Sequence, residues 1–234
     1  LILRDLKDST KDLDLVVESN EALLALGETL RELGYDERTD LETAYEKLDP
    51  AVVFERDGSP RYDIFVGVVA GKLRLTEQMR DRADRTIEHG DLSLHLLSLT
   101  DIFLFKSITE REGDLEDVTL LARQASIDWQ QLLDEIKRQD ELTGQYFSFA
   151  VLDTLDILQQ RADIESPIHQ QLVSYCLKNA LLVSLREPKT IRDLRDELDF
   201  PDHRIYNTLR TLEDEGVIAV DRTGSLNEYR LKEK

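Results

Sequence analysis

Apolar and polar positions change rhythm along the chain, from short strand-like runs near the start to helical spacing over most of the rest. Leu13, Leu15, Val16 and Val17 form a brief apolar run that predicts a buried strand. Ser19 and Asn20 can cap a helix from about Glu21 to Leu33, which Gly34 would end. β-rich runs at Val52 to Arg56 and Arg61 to Val66 flank Asp57-Gly58-Ser59-Pro60, a hairpin signal. Beyond them the spacing predicts a helix over Leu73 to Glu88, then a strand-like Leu92 to Leu97. Further helices are predicted over Leu99 to Glu110, Leu115 to Gln124, Asp128 to Arg138 and Tyr146 to Ala162. The expected fold class is α/β of the α+β kind, a small mixed sheet with a helical extension.

A boundary is expected at Asp163 to Pro167, after which the pattern turns compact. His169 to Leu185 reads as an amphipathic helix, and Thr190 caps a short second helix to Leu198. Pro201-Asp202 opens a third helix to about Glu215, stopped by Gly216. Val217 to Asp221, a turn at 222–225 and Leu226 to Leu231 then form a hairpin. Three helices followed by a two-stranded hairpin is the order of a winged helix-turn-helix domain. The expected division is 1–125, a helical extension over 126–167, and 168–234.

Composition narrows the classes. The chain has 234 residues, 41% of them hydrophobic, enough to bury cores in one large or two modest domains. No run approaches the roughly 20 apolar residues of a membrane-spanning helix, and no secretory signal is visible, so a soluble, cytoplasmic protein without a membrane partner is expected. The single cysteine, Cys176, excludes an internal disulfide and a Cys-cluster zinc site, and its apolar helix predicts a buried structural thiol. His89, His95, His169 and His203 are too scattered for a histidine metal cluster. Trp129 beside Asp128 is expected to pack a helix start, and Tyr146, Phe147 and Phe149 to be core positions. Because the chain opens at Leu1 without an initiator Met, residues upstream are expected.

Charge changes the picture more. The formal net charge is −19, from 30 Lys and Arg against 49 Asp and Glu. Scarce Lys and abundant carboxylates resemble proteins of salt-accumulating halophiles, whose acidic surfaces stay hydrated. The excess is uneven. Residues 168–234 carry 11 basic and 12 acidic side chains, and residues 1–167 carry 19 and 37.

Against that background one phrase stands apart: Ser9-Thr10-Lys11-Asp12-Leu13-Asp14-Leu15-Val16-Val17. Asp is disfavoured in strands, yet two sit at alternate positions leading into the apolar run. Period-two alternation places Asp12 and Asp14 on one face, roughly 6.6 Å apart, with Leu13 and Leu15 opposite. Carboxylates held that close repel, and a divalent cation relieves them. The whole phrase resembles the active-site strand of the nucleotidyltransferase superfamily, in particular its abortive-infection toxin-like branch and haloarchaeal relatives. In that family a glycine-containing turn precedes the strand, and a third carboxylate comes from a later one. The resemblance implies Asp63, in Arg61-Tyr62-Asp63-Ile64-Phe65-Val66, as that third ligand. It further implies Asp12, Asp14 and Asp63 as catalytic and Mg2+-binding residues, one or two ions being held against an NTP substrate, with Ser9, Thr10 and Lys11 beside the nucleotide.

Downstream, Asp101-Ile102-Phe103-Leu104-Phe105-Lys106, then Arg111, Asp114 and Asp117, resembles a second motif of those relatives. There Lys106 would meet nucleotide phosphate, Arg111 would assist, and Asp114 and Asp117, one helical turn apart, would orient them. An internal ion pair with that acidic turn is the other reading of Lys106. In the last domain, Ile205 to Ile218 resembles the third helix of bacterial and archaeal winged-helix regulators. Ile205, Leu209 and Leu212 would face the core, leaving His203, Arg204, Asn207, Thr208 and Arg210 for DNA, with Arg222 and Arg230 in the wing. Winged helices also serve as protein-protein modules, so a homodimer is the alternative use. The expected function is transfer of NMP from an NTP to a hydroxyl acceptor. The alternative is a DNA-binding regulator whose nucleotidyltransferase-like domain is not catalytic.

Overall fold

The structure, a computed structural model, describes residues 1–8, 10–38, 49–69, 71–89, 92–109, 111–224 and 226–232. It is a mixed α and β architecture in two compact units, Leu1–Phe147 and Ser148–Lys234. The division falls at Phe147, before the 163–167 segment where the composition shifts.

In the N-terminal unit, β1 (Asp12–Val17), β2 (Asp36–Arg38), β3 (Val52–Glu55) and β4 (Arg61–Val66) form a mixed sheet in the order β1-β4-β3-β2. β1 runs parallel to β4, while β3 pairs antiparallel with both β4 and β2. Helix α1 (Asn20–Glu32) starts where the Ser19 side chain accepts from the Ala22 N–H at 3.2 Å. It ends before Gly34, whose φ of 81° suits a residue without Cβ. Leu23, Leu26 and Leu30 of α1 pack with Leu15, Val17, Phe54 and Ile64 from the sheet. Gly27 permits this approach, since a Cβ there would meet the Phe54 ring at 3.3 Å. One face of β1 and β4 is therefore apolar and covered, which commits their alternate residues to the other face.

The helix expected over Leu73 to Glu88 does not form. β5 (Val68–Val69) pairs with β6 (Leu73–Arg74), and α2 is confined to Glu77–Asp81. β7 (Arg85–His89) then pairs antiparallel with β8 (Leu92–Leu96). Thr76 caps α2, accepting from the Met79 N–H at 3.2 Å, and Arg82 ends it. The Arg82 guanidinium turns inward to Asp101 at 2.9 Å and to Glu135 at 2.9 Å. Burying that charge against two carboxylates overrides the local helical spacing.

α3 (Leu99–Ser107), α4 (Glu112–Gln124) and α5 (Trp129–Thr143) complete the unit. Asp128 caps α5, and Trp129 stacks edge-on to Phe103 with centroids 5.5 Å apart. α5 runs past Arg138 to Gly144, whose φ of 68° closes it. α6 (Phe147–Ala162) follows; Phe147 is buried, but Tyr146 is 41% exposed and is not a core residue. Tyr146 lies just before the helix begins.

In the C-terminal unit α7 (His169–Ser184) is followed by β9 (Lys189–Thr190), α8 (Ile191–Glu197), α9 (Asp202–Asp214), β10 (Ile218–Asp221) and β11 (Glu228–Leu231). The strands form an antiparallel sheet ordered β10-β11-β9. Thr190 and Asp193 make a reciprocal capping box at α8. Leu177, Leu181, Leu194, Ile205, Leu209, Leu212 and Ile218 form the core. Burying each such side chain contributes about 1.5–3 kcal/mol. Cys176 is buried, as its apolar neighbours imply.

Candidate functional site

The site begins with the parallel register of β1 and β4. Asp12 pairs with Arg61, Asp14 with Asp63, and Val16 with Phe65. Partners in a parallel ladder point to the same side, so Asp12, Asp14, Arg61 and Asp63 share the sheet face opposite α1. Val53 lies beside Asp63 on β3 and is almost wholly buried. Asp63, on an inner strand, is only 1% exposed.

Its compensation is Arg61. The guanidinium donates from Nε to Asp63 Oδ1 at 2.7 Å and from a terminal nitrogen to Oδ2 at 2.8 Å. The same group reaches Asp12 Oδ2 at 3.3 Å. Burial pushes the Asp63 pKa up against the pull of Arg61, and the net shift is upward. Asp14 keeps solvent access and has no side-chain hydrogen bond or ion pair among the described residues. Desolvation by the surrounding protein pushes its carboxyl up to about 6; Asp63 adds to the shift, while Lys106 and Arg111 oppose it.

Lys106 and Arg111, though distant in sequence, are thus felt at Asp14. Lys106, near the end of α3, donates from Nζ to Asp114 at 2.7 Å and lies 2.7 Å from Asp117. Arg111 donates to Asp114 Oδ2 at 2.6 Å, as does the Thr109 hydroxyl at 2.6 Å. Lys7 pairs with Asp117. Burial opposes the charge on Lys106, but Asp114 and Asp117 outweigh it and hold its pKa above the ordinary lysine value. Burial likewise opposes ionisation of Asp114, and Arg111 with Lys106 overcomes it to hold that carboxyl below its usual range. The ion-pair reading of Lys106 is the one this geometry shows: an internally paired ammonium whose charge is still felt at Asp14.

Thr10 donates to the Asp12 carbonyl at 2.8 Å and so shapes the entry to β1, and Lys11 is exposed beside it. Ser9 lies outside the described residues. Arg61 and Thr109 escaped the sequence reading as members of this cluster. Arg61 had left a signal, two residues before Asp63 and hence on its face of a strand.

The donor set suits a hard cation, since Asp12, Asp14 and Asp63 offer only carboxylate oxygens. Among the described residues, however, no group of three or more His, Cys, Asp or Glu side chains converges on a metal position. Arg61 occupies both oxygens of Asp63 instead. A polar cleft of about 330 Å³ elsewhere in the unit, touching Gln78, Arg82, Asp134 and Arg138, is separate from this face.

On α9, His203, Asn207 and Arg210 are exposed at helical spacing with Tyr206, which is 57% exposed. Arg204 and Thr208 are half-buried, and Arg204 donates to Gln170 of α7. Arg222, between β10 and β11, is held by both oxygens of Glu213 at 2.8 Å, while Arg230 is exposed on β11. No Asp or Glu occurs between Asp202 and Glu213. No family model matches the chain, and no curated protein or solved structure matches it.

Proposed function

We propose that the N-terminal unit is a nucleotidyltransferase-like domain that uses Mg2+ and an NTP to transfer NMP to a hydroxyl acceptor. The observation that carries this reading is the pairing of Asp14 with Asp63, which brings a carboxylate from a distant segment beside the Asp12–Asp14 pair. A divalent cation held by Asp12, Asp14 and Asp63 would supply charge neutralisation and polarisation at the phosphates. The chain's own residues do the rest. Lys106 and Arg111, locked by Asp114 and Thr109, give fixed positive potential without reorganising when substrate arrives. Exposed Lys11 gives a compact cation able to follow a phosphate. Asp63, with its pKa raised, is suited to take the acceptor's proton once its oxygens are released. Incubating the full chain with Mg2+ and each NTP labelled at the α-phosphate tests this. Label should pass to an acceptor or to the chain itself with the wild type and not with Asp14→Asn; no transfer with any NTP contradicts it.

The C-terminal unit reads best as a winged helix that binds duplex DNA through α9. An acid-free, exposed stripe of His203, Tyr206, Asn207 and Arg210 in so acidic a chain supports that use. Arg204 serves instead to tie α9 to α7, and Arg222 is available to phosphate only after leaving Glu213. Fluorescence anisotropy with mixed-sequence duplexes at two salt concentrations tests this; salt-insensitive or absent binding contradicts it. Without NMP transfer but with DNA binding, the chain would be a regulator whose N-terminal domain is non-catalytic.

A further inference from the structure

We infer that Arg61 is a built-in counter-cation of the carboxylate face, which a divalent cation must displace rather than join. This rests on the nucleotidyltransferase reading of Asp12, Asp14 and Asp63. Arg61 is only 12% exposed at its side chain and sits between two of the three carboxylates, with both oxygens of Asp63 and one of Asp12 within reach. The bidentate fork to Asp63 uses the oxygens a metal ion would need. A guanidinium and a divalent cation on the same oxygens repel as like charges, so the two compete for them. Without Arg61, Asp63 would be a buried carboxylate with no compensating charge in its own strand. With it, Asp63 stays folded in, both its oxygens held by the guanidinium fork. The residue thus ties Asp12 to Asp63 and weakens metal binding by the same contacts.

The experiment is a titration of the full-length chain with Mn2+, read by calorimetry and by the melting temperature. Arg61→Gln is expected to bind Mn2+ about tenfold more tightly or better, the order set by no longer breaking a charge-assisted pair. It should also melt below wild type without metal and recover more of that loss than wild type when Mn2+ is added. Arg61→Lys, which keeps the charge but not the fork, should tighten binding by a smaller factor, and it decides the matter if Arg61→Gln does not fold. Arg80→Gln removes an equal charge from an exposed pair with Glu18 and should leave Mn2+ affinity within about twofold, the scale of an exposed ion pair. Unchanged or weaker binding by the Arg61 variants, with wild type binding normally, overturns the exchange and leaves the nucleotidyltransferase reading standing. Mn2+ binding by none of the proteins overturns both.

Discussion

In the N-terminal unit five buried carboxylates, Asp63, Asp101, Asp114, Asp117 and Glu135, each face a guanidinium or an ammonium group. In the C-terminal unit the pairs Lys178–Glu215, Arg195–Asp202 and Arg222–Glu213 lie at the surface, and Arg210 on α9 makes no ion pair among the described residues. The contrast separates two uses of charge. A buried pair fixes position, and breaking one half strands the other in low dielectric. A surface pair is weak and can be exchanged for an external anion such as phosphate. The N-terminal unit thus fixes these carboxylates in buried pairs, whereas the C-terminal unit keeps its pairs where solvent competes for them.

The sharpest way to break this comparison is to remove one buried cation. Arg82→Ala should destabilise the N-terminal unit by about 3–5 kcal/mol, because buried Asp101 loses its cation and Glu135 keeps only Arg138, at 3.5 Å. Urea unfolding measures it, and a loss under about 1 kcal/mol would place Arg82 with the surface pairs. Arg210→Ala should weaken duplex binding and lower its salt slope by about 1, as removal of one phosphate contact does. Asp14→Asn should stabilise rather than destabilise at pH 7.5. The folded Asp14 titrates at about 6 against an ordinary 3.8, so between those values the folded chain holds a proton that the unfolded chain has lost. Stability therefore falls as pH rises through this window, and the amide escapes the loss. The gain should stay below about 1 kcal/mol, because water reaches this carboxylate, and should vanish near pH 3.5. Smallest of all, Arg222→Ala should leave the urea midpoint close to wild type, because its pair with Glu213 lies in solvent.

How much of this was legible depended on the range of the forces involved. β1, α1, the β3–β4 hairpin and the elements after His169 rest on local signals: alternation, Ser19 and Thr190 caps, and Gly34 and Gly216 stops. The 73–88 segment was misread because its ending is set by Arg82 reaching Asp101 and Glu135, far away in sequence. Asp12 and Asp14 could be placed on one face from period two alone. That Asp63 lies beside them needs the crossover that makes β4 parallel to β1, which spacing does not encode. Arg61 shows the converse lesson. Its place on the Asp63 face follows from alternation, but its pairing depends on how deeply Asp63 is buried.

The central claim is that Asp12, Asp14 and Asp63 form one metal-dependent nucleotide site. Its most direct test is calorimetric titration of a non-hydrolysable NTP into the full chain, with and without Mn2+, for wild type and Asp14→Asn. Binding that requires Mn2+ in the wild type and disappears in Asp14→Asn is the predicted result. Equal binding by both proteins, or none by the wild type at millimolar nucleotide, would contradict the account.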